Sequence, residues 1–226
     1  TIPLVGVRVR CHHLLHFDRA SKAELSGFAS EVLMTQSILL ACGSQAFNKA
    51  GMNTLLSLGH GYSSAALAAR LIPLGWRVIG TTRTVARMAA LQASGVEPLL
   101  YPCDLTDALS QASHVLAAAA PDGSGDPFLN SQFAAFKAAH PKWVGYLSTT
   151  AVYGDHQGAW VNEETPVAPQ SARAVQRILA ERQWLGTGLP VFFFRLAGIY
   201  GPGRGPFEKV RDGSARRIIK AGQVFS

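Results

Sequence analysis

The chain has 226 residues, of which 48% are hydrophobic and 15% are charged. This composition supplies enough apolar side chains for a sizeable core and excludes an intrinsically disordered chain. The formal net charge is +7, but the excess lies in residues 204–226, which carry six Lys and Arg side chains against two acids. The basic residues of this chain do not form an extended stripe interleaved with aromatic residues, which is the pattern typical of a nucleic-acid-binding surface. We therefore expect no nucleic-acid partner.

From residue 52 onward, short apolar runs alternate with helical segments. The predicted strands are 55–58, 77–81, 97–101, 114–118, 143–147 and 190–195, and the predicted helices are 63–74, 85–93, 107–111, 131–139 and 172–185. Apolar strands joined by helices are typical of a parallel sheet covered on both faces. Right-handed crossovers then predict a Rossmann-type, doubly wound α/β fold.

Residues 1–51 lack this alternation. We interpret them as an N-terminal extension that is poorly ordered or non-native, and residues 52–226 as the domain. His16 is three residues after His13 and four after His12, and residues at these spacings lie on the same face of a helix. No Cys or His set completes a metal site at the usual spacing, so no metal is predicted.

The cysteine content and the hydropathy pattern bear on location. Cys11, Cys42 and Cys103 are too few and too scattered for a disulfide framework, which favours a reducing compartment and hence the cytoplasm. No stretch approaches the roughly 20 apolar residues of a membrane span, so no membrane partner is expected.

A glycine motif lies between the first predicted strand and the first predicted helix. Gly59 permits a tight turn, and Gly61 lets the backbone approach a pyrophosphate, whose charge the helix N-terminus favours. This context favours a dinucleotide site over a simple turn, with Ser64 in place of the third glycine. The predicted cofactor-binding residues here are Gly59, His60, Gly61, Tyr62, Ser63 and Ser64.

The end of the second strand indicates which dinucleotide is bound. A site for NAD holds Asp or Glu about 20 residues after the glycines. Here the chain has Thr82 and Arg83. The planar guanidinium of Arg83 can pair with a 2′-phosphate, which predicts NADP over NAD. The alternative is a surface arginine that contacts no cofactor.

Four features in chain order carry a resemblance to a known family. They are Gly59–Tyr62, Cys103–Leu105, Leu147–Asp155 (LSTTAVYGD) and Arg195–Gly203 (RLAGIYGPG). The chain from about residue 52 resembles the short-chain dehydrogenase/reductase superfamily, in its NAD-dependent epimerase/dehydratase-like branch. The resemblance implies a cofactor channel bordered by Asp104 and Leu105 near the adenine, by Ala118, Ala119 and Ala120, and by Leu196, Ala197 and Ile199 at the nicotinamide end.

The resemblance also locates the catalytic positions. Thr149 matches the family's catalytic Ser or Thr, whereas Arg173 and Arg177 stand where the family has Tyr and Lys. An arginine stays protonated above pH 12 and cannot exchange a proton near pH 7. It could bind an anionic substrate or polarise a carbonyl. Tyr153 is either a substitute acid or a packed side chain with one hydrogen bond.

Two functions follow from these features. The first is an NAD(P)-dependent oxidoreductase or epimerase that acts on a small, sugar-like substrate, with Thr149 holding the substrate oxygen. The alternative is a non-catalytic NADP(H)-binding sensor, which the two arginines favour. Members of the family continue beyond the position of Ser226, so we expect an incomplete substrate lobe. A homodimer is compatible with the sequence.

Overall fold

The computed structural model describes residues 52–216. The predicted N-terminal extension, with its three clustered histidines, lies outside the described residues. Among residues 52–216, no helix is both long and apolar enough to cross a lipid bilayer.

Six parallel strands form one sheet in the order β3-β2-β1-β4-β5-β6. The strands are β1 (Thr54–Leu58), β2 (Arg77–Thr82), β3 (Glu97–Leu100), β4 (His114–Ala117), β5 (Trp143–Thr149) and β6 (Val191–Leu196). All six correspond to predicted strands. The order is that of a doubly wound dinucleotide-binding sheet, which confirms the predicted fold class.

Helices connect the strands. They are α1 (Tyr62–Leu71), α2 (Val85–Ala93), α3 (Thr106–Gln111), α4 (Pro127–Ala139), α5 (Ala172–Gly186) and α6 (Pro206–Arg211), with 3₁₀ turns at Ile72–Leu74 and Thr150–Tyr153. Helix α4 begins four residues before its predicted start. The Asp126 carboxylate caps it by accepting hydrogen bonds from the amides of Phe128 and Leu129, at 2.9 and 3.0 Å. Pro127 occupies the first turn, where its missing N–H costs nothing.

The helix predicted over residues 63–74 ends earlier in the structure than predicted. The α-helical part stops at Leu71, and a 3₁₀ turn that contains Pro73 follows. Gly75 closes this turn with φ of 79°, a left-handed conformation that glycine adopts without steric cost.

Two hydrophobic clusters cover the two faces of the sheet. Leu56 of β1 packs with Phe136 of α4 and Trp184 of α5 on one face. Its neighbour Leu55 packs with Leu71 of α1 on the other face. Successive side chains of a strand point to opposite faces, so β1 contributes to both clusters, and all five of its residues are buried.

The strand order reverses at β1, which pairs with β2 on one side and β4 on the other. In doubly wound sheets, this reversal opens a crevice at the carboxyl ends of the two central strands, where ligands bind. Here the crevice lies between the residues that follow Leu58 and those that follow Ala117.

Candidate functional site

The glycine turn lies directly at this crevice. Gly59 has φ of 74°, and a Cβ added to it would lie 3.0 Å from backbone and side-chain atoms of Ala119. Both the left-handed backbone and the close approach require glycine. A Cβ on Gly61 would meet only the Gly59 carbonyl oxygen, at 3.7 Å. The protein itself therefore leaves the space beside Gly61 open, which fits the close approach of a ligand.

Thr81 of β2 holds the turn in place, a role that the sequence analysis did not detect. Its Oγ1 accepts a hydrogen bond of 2.7 Å from the Gly59 amide, and its carbonyl accepts one of 3.0 Å from the His60 amide. Thr81 is 1% exposed. The glycine turn is thus anchored to the neighbouring strand and has a fixed backbone.

Helix α1 starts at this turn without a side-chain cap. Gly61 is its N-cap residue, and the first turn holds no acidic side chain. Ser63 and Ser64 are buried in that turn, and the Ser64 hydroxyl has no hydrogen-bond partner in the part of the chain that the structure describes. Unpaired amides and the helix dipole favour an anion at such an end. The residues present therefore fit the pyrophosphate of a dinucleotide.

The side chain of His60 points away from solvent and into the protein. It is 3% exposed, and a Cβ on Gly80 would lie 2.9 Å from the ring. Neither ring nitrogen has a hydrogen-bond partner within the described residues. Burial, together with the charge of Arg87, lowers the pKa of His60 to about 4. His60 is thus neutral at pH 7, and its ring packs on β2.

Two arginines follow the end of β2, and one of them contacts the glycine turn. Thr82 is buried, whereas Arg83 is exposed and has no hydrogen-bond or ion-pair partner among residues 52–216. Arg87, in the first turn of α2, brings its Nη2 to 3.4 Å from the His60 carbonyl oxygen. The sequence analysis missed Arg87 because its approach to the turn depends on how α2 packs.

The loop after β3 is fixed by a side chain of α4. The amide of Gln132 donates to the Cys103 carbonyl at 2.7 Å and accepts from the Leu105 amide at 2.6 Å. The Leu105 side chain is completely buried, so only its backbone can face a ligand. Asp104 is exposed, and bonds from the Thr106 hydroxyl and amide lower the pKa of its carboxyl.

Cys103 belongs to the same loop and borders a surface groove of about 340 Å³. Burial and the neighbouring Asp104 raise the pKa of its thiol. A thiol with a raised pKa is a poor nucleophile at neutral pH. No group of three or more His, Cys, Asp or Glu side chains within residues 52–216 is arranged to hold a metal ion.

Arg177 joins the carboxyl ends of β4 and β5. Its Nη1 donates to the Leu147 carbonyl at 2.8 Å, to the Tyr146 hydroxyl at 3.2 Å and to the Ala119 carbonyl at 3.3 Å. Ala118 and Ala119 are half-buried at the crevice, and Ala120 is exposed. Arg177 therefore fixes the strand end that packs against Gly59.

Arg173, one helical turn before Arg177, has a different environment. It is exposed and has no hydrogen-bond or ion-pair partner in the described part of the chain. Its guanidinium is free to meet an anion in solution. Arg173 is thus a solvated cation and Arg177 a structural one.

Thr149 ends β5 with its side chain half-buried. Its Oγ1 accepts a hydrogen bond of 3.2 Å from the Ala151 amide and keeps its proton for another acceptor. Tyr153 lies in the next turn and is 6% exposed. Its hydroxyl accepts a bond of 3.0 Å from Arg195. Tyr153 is therefore the packed side chain with one hydrogen bond that the sequence analysis gave as one alternative.

The residues after β6 complete the edge of the crevice. Leu196 and Ile199 are half-buried, and Ala197 is exposed. The following turn reaches α1, where the Tyr62 hydroxyl donates to the Pro202 carbonyl at 3.1 Å. The glycine turn and the segment after β6, which are far apart in sequence, therefore lie in contact.

Comparisons with known proteins agree with this architecture. No family model matches the sequence. The chain is 34% identical over 173 residues to Protein YeeZ of Escherichia coli, covering 69% of this chain and 62% of that protein. It is 53% identical to a conserved protein of unknown function from Silicibacter pomeroyi, with a TM-score of 0.70 over 77% of this chain and 62% of the other. The chain thus spans about 62% of the length of these two proteins.

Two further structures carry descriptive names. A protein from Methylobacillus flagellatus, provisionally named an NAD-dependent epimerase/dehydratase, is 27% identical, with a TM-score of 0.55 over 72% of this chain and 59% of the other. The Bordetella bronchiseptica enzyme WbmG, solved in complex with NAD and UDP, is 20% identical, with a TM-score of 0.56 over 73% of this chain and 61% of the other.

Fold and motifs together define a class. The chain has a doubly wound, Rossmann-type α/β fold, which these solved structures share. It is similar to the protein provisionally named an NAD-dependent epimerase/dehydratase, as its motifs predicted.

Proposed function

We propose that this chain binds a nicotinamide dinucleotide in the crevice between β1 and β4. The observation that carries this proposal is the glycine turn, because Gly59 is required by its contact with Ala119 whereas Gly61 has open space beside it. The uncapped N-terminus of α1 supports a pyrophosphate at the same place. The complex of WbmG with NAD supports the choice of ligand.

The cofactor that we propose is NADP. Arg83 and Arg87 are two cations near the end of β2, and Thr82 is present where an NAD site would carry an acid. Asp104, the backbone of Leu105 and the Ala118–Ala120 segment would border the adenine side and the channel. Leu196, Ala197 and Ile199 would border the nicotinamide.

For the reaction, we propose hydride transfer on a small, sugar-like substrate. The bound nicotinamide supplies the hydride chemistry. Thr149 would donate a hydrogen bond from its hydroxyl to the substrate oxygen, because its Oγ1 already accepts a bond from the Ala151 amide and its O–H is left for another acceptor. The exposed guanidinium of Arg173 would bind a negatively charged part of the substrate. Neither Arg173 nor Arg177 can act as the general acid.

A second candidate function is a non-catalytic sensor of the NADP(H) redox state. The observation that favours it is Arg177, whose Nη1 is bonded to three structural acceptors. The double change Arg173→Tyr with Arg177→Lys rebuilds the family pair. A rise in NADPH-dependent turnover on carbonyl substrates would support the enzyme, and dinucleotide binding without turnover in either form would support the sensor.

The binding proposal is tested by Gly61→Val, measured by calorimetric titration with NADPH and NADH. The substitution meets only the Gly59 oxygen at 3.7 Å, so the fold should survive, as judged by circular dichroism. Binding should be lost because the branched side chain occupies the space of the pyrophosphate. Gly123→Val, at a surface glycine with nothing within 4 Å, is the matched control. Unchanged affinity in Gly61→Val would overturn the proposal.

A further inference from the structure

The segment after β6 crosses the candidate cofactor crevice. Strands β5 and β4 separate β6 from β1 in the sheet, so three strand spacings of about 4.8 Å, or about 14 Å, lie between β6 and β1. The chain nevertheless runs from Leu196, at the end of β6, to a contact with Tyr62 at the start of α1. It must therefore pass over the carboxyl ends of the strands that border the crevice.

The crossing ends in a tight turn of residues Gly201–Arg204, which we call the clasp. The amide of each end residue donates to the carbonyl of the other, at 2.7 and 2.9 Å. Two contacts hold the clasp on α1. The Tyr62 hydroxyl donates to the Pro202 carbonyl at 3.1 Å, and the Arg204 guanidinium lies 5.3 Å from the centre of the Tyr62 ring.

No acidic side chain within residues 52–216 neutralises the charge of Arg204. Arg204 is exposed, it forms no ion pair with any of residues 52–216, and the first turn of α1 has no acidic side chain. Tyr62 directly follows Gly61, the N-cap residue of α1. A guanidinium held over this ring adds a full positive charge to the partial charge of the helix end.

We propose that the clasp closes over the diphosphate of the bound dinucleotide and that Arg204 pairs with a diphosphate oxygen. This inference rests on the proposed dinucleotide binding. A guanidinium matches phosphate oxygens in geometry and charge. The ligand recognised in this way is the diphosphate itself, so Arg204 serves NADH and NADPH equally.

The experiment is a calorimetric titration of the full chain with ADP-ribose, which contains the diphosphate without nicotinamide, and with NADH and NADPH. Arg204→Ala should weaken the binding of all three by about tenfold and make the affinity less dependent on salt. Arg204→Lys should retain most of the affinity because it keeps the charge. Tyr62→Phe, which loses the bond to Pro202 but keeps the ring, should weaken binding by a smaller factor.

The control variant is Arg211→Ala, at an exposed arginine of α6 that is paired with Glu208; it should bind as the wild type does. If the wild type binds NADH and NADPH but Arg204→Ala binds ADP-ribose equally well, the clasp proposal is wrong and the proposed function stands. A loss confined to NADPH would also overturn it, since Arg204 would then contact the 2′-phosphate. A wild type that binds neither dinucleotide would overturn both.

Discussion

Glu181 of α5 and Arg195 of β6 form an ion pair beneath the candidate site, with Nη2 2.8 Å from Oε2. The Glu181 side chain is 5% exposed and that of Arg195 is 21% exposed. Glu181 also accepts a 2.5 Å hydrogen bond from the Ser148 hydroxyl, and Arg195 donates to Tyr153. The pair therefore connects β5, β6, α5 and the turn that follows Thr149.

Glu181→Gln should lower the free energy of unfolding by about 3 kcal/mol, because it leaves the positive charge of Arg195 largely buried without its partner. Urea denaturation measures the loss. Glu97→Gln is the matched control, since the Arg77–Glu97 pair is at the surface, with side chains 28% and 54% exposed. That change should cost about 1 kcal/mol or less. Equal costs at the two positions would contradict this account.

The sequence predicted the elements better than it predicted these contacts. Strand positions follow from local apolar patterns, so all six strands could be predicted from the sequence. Helix α4 begins before its predicted start because Asp126 caps it and Pro127 occupies its first turn. The contacts of Glu181 with Ser148 and Arg195 join separate elements, and no local pattern encodes such long-range pairs.

The residues of the candidate site likewise fall into two groups, those that the sequence could predict and those that it could not. Gly59 and Gly61 belong to a contiguous motif and could be identified from spacing. Thr81 and Arg204 approach this motif only after the chain has folded, since 22 residues separate Thr81 from Gly59. The surroundings of Arg177 could not be predicted either, because its three acceptors lie on β5 and in the segment after β4, 30 to 58 residues away in sequence.

Cofactor choice is tested at Arg83. If Arg83 pairs with the 2′-phosphate, Arg83→Ala should weaken NADPH binding by about 1.5–3 kcal/mol, or roughly ten- to a hundredfold. NADH affinity should stay the same because NADH lacks that phosphate. Titration of the variant with both dinucleotides makes the comparison. Arg182→Ala, at an exposed arginine of α5, controls for loss of a surface charge. An unchanged NADPH affinity would refute the assignment.

His60 should make stability depend on pH. Its folded pKa of about 4 lies below the ordinary histidine pKa of 6.5, so between these values the unfolded chain binds more protons. Stability should therefore fall as the pH drops from about 6.5 to 4, by about 3 kcal/mol from this residue. His60→Leu should remove that part of the slope when urea unfolding is repeated across the window. His140→Asn, at an exposed position, should leave the slope as it is in the wild type.

Arg177 and Arg173 should differ in their effect on stability. Arg177→Met removes the donor to two backbone carbonyls and one buried hydroxyl, so we expect a loss of about 2 kcal/mol. Arg173→Met should change stability by about 0.5 kcal/mol or less, as is usual for an exposed side chain without partners. Thermal and urea unfolding of the two variants provide the test. A large loss at Arg173 with none at Arg177 would invert the assigned roles.

The contact of Gly59 with Ala119 ties ligand recognition to strand register. Leu55 and Leu56 belong to opposite hydrophobic clusters, so a slip of β1 by one residue would exchange the two cores. The same slip would move Gly59 along its neighbour by about 3.3 Å and separate it from Ala119. A misregistered chain would thus lose its packing and its cofactor crevice in one step. Dinucleotide affinity should therefore report correct folding of the central strand in any variant of this protein.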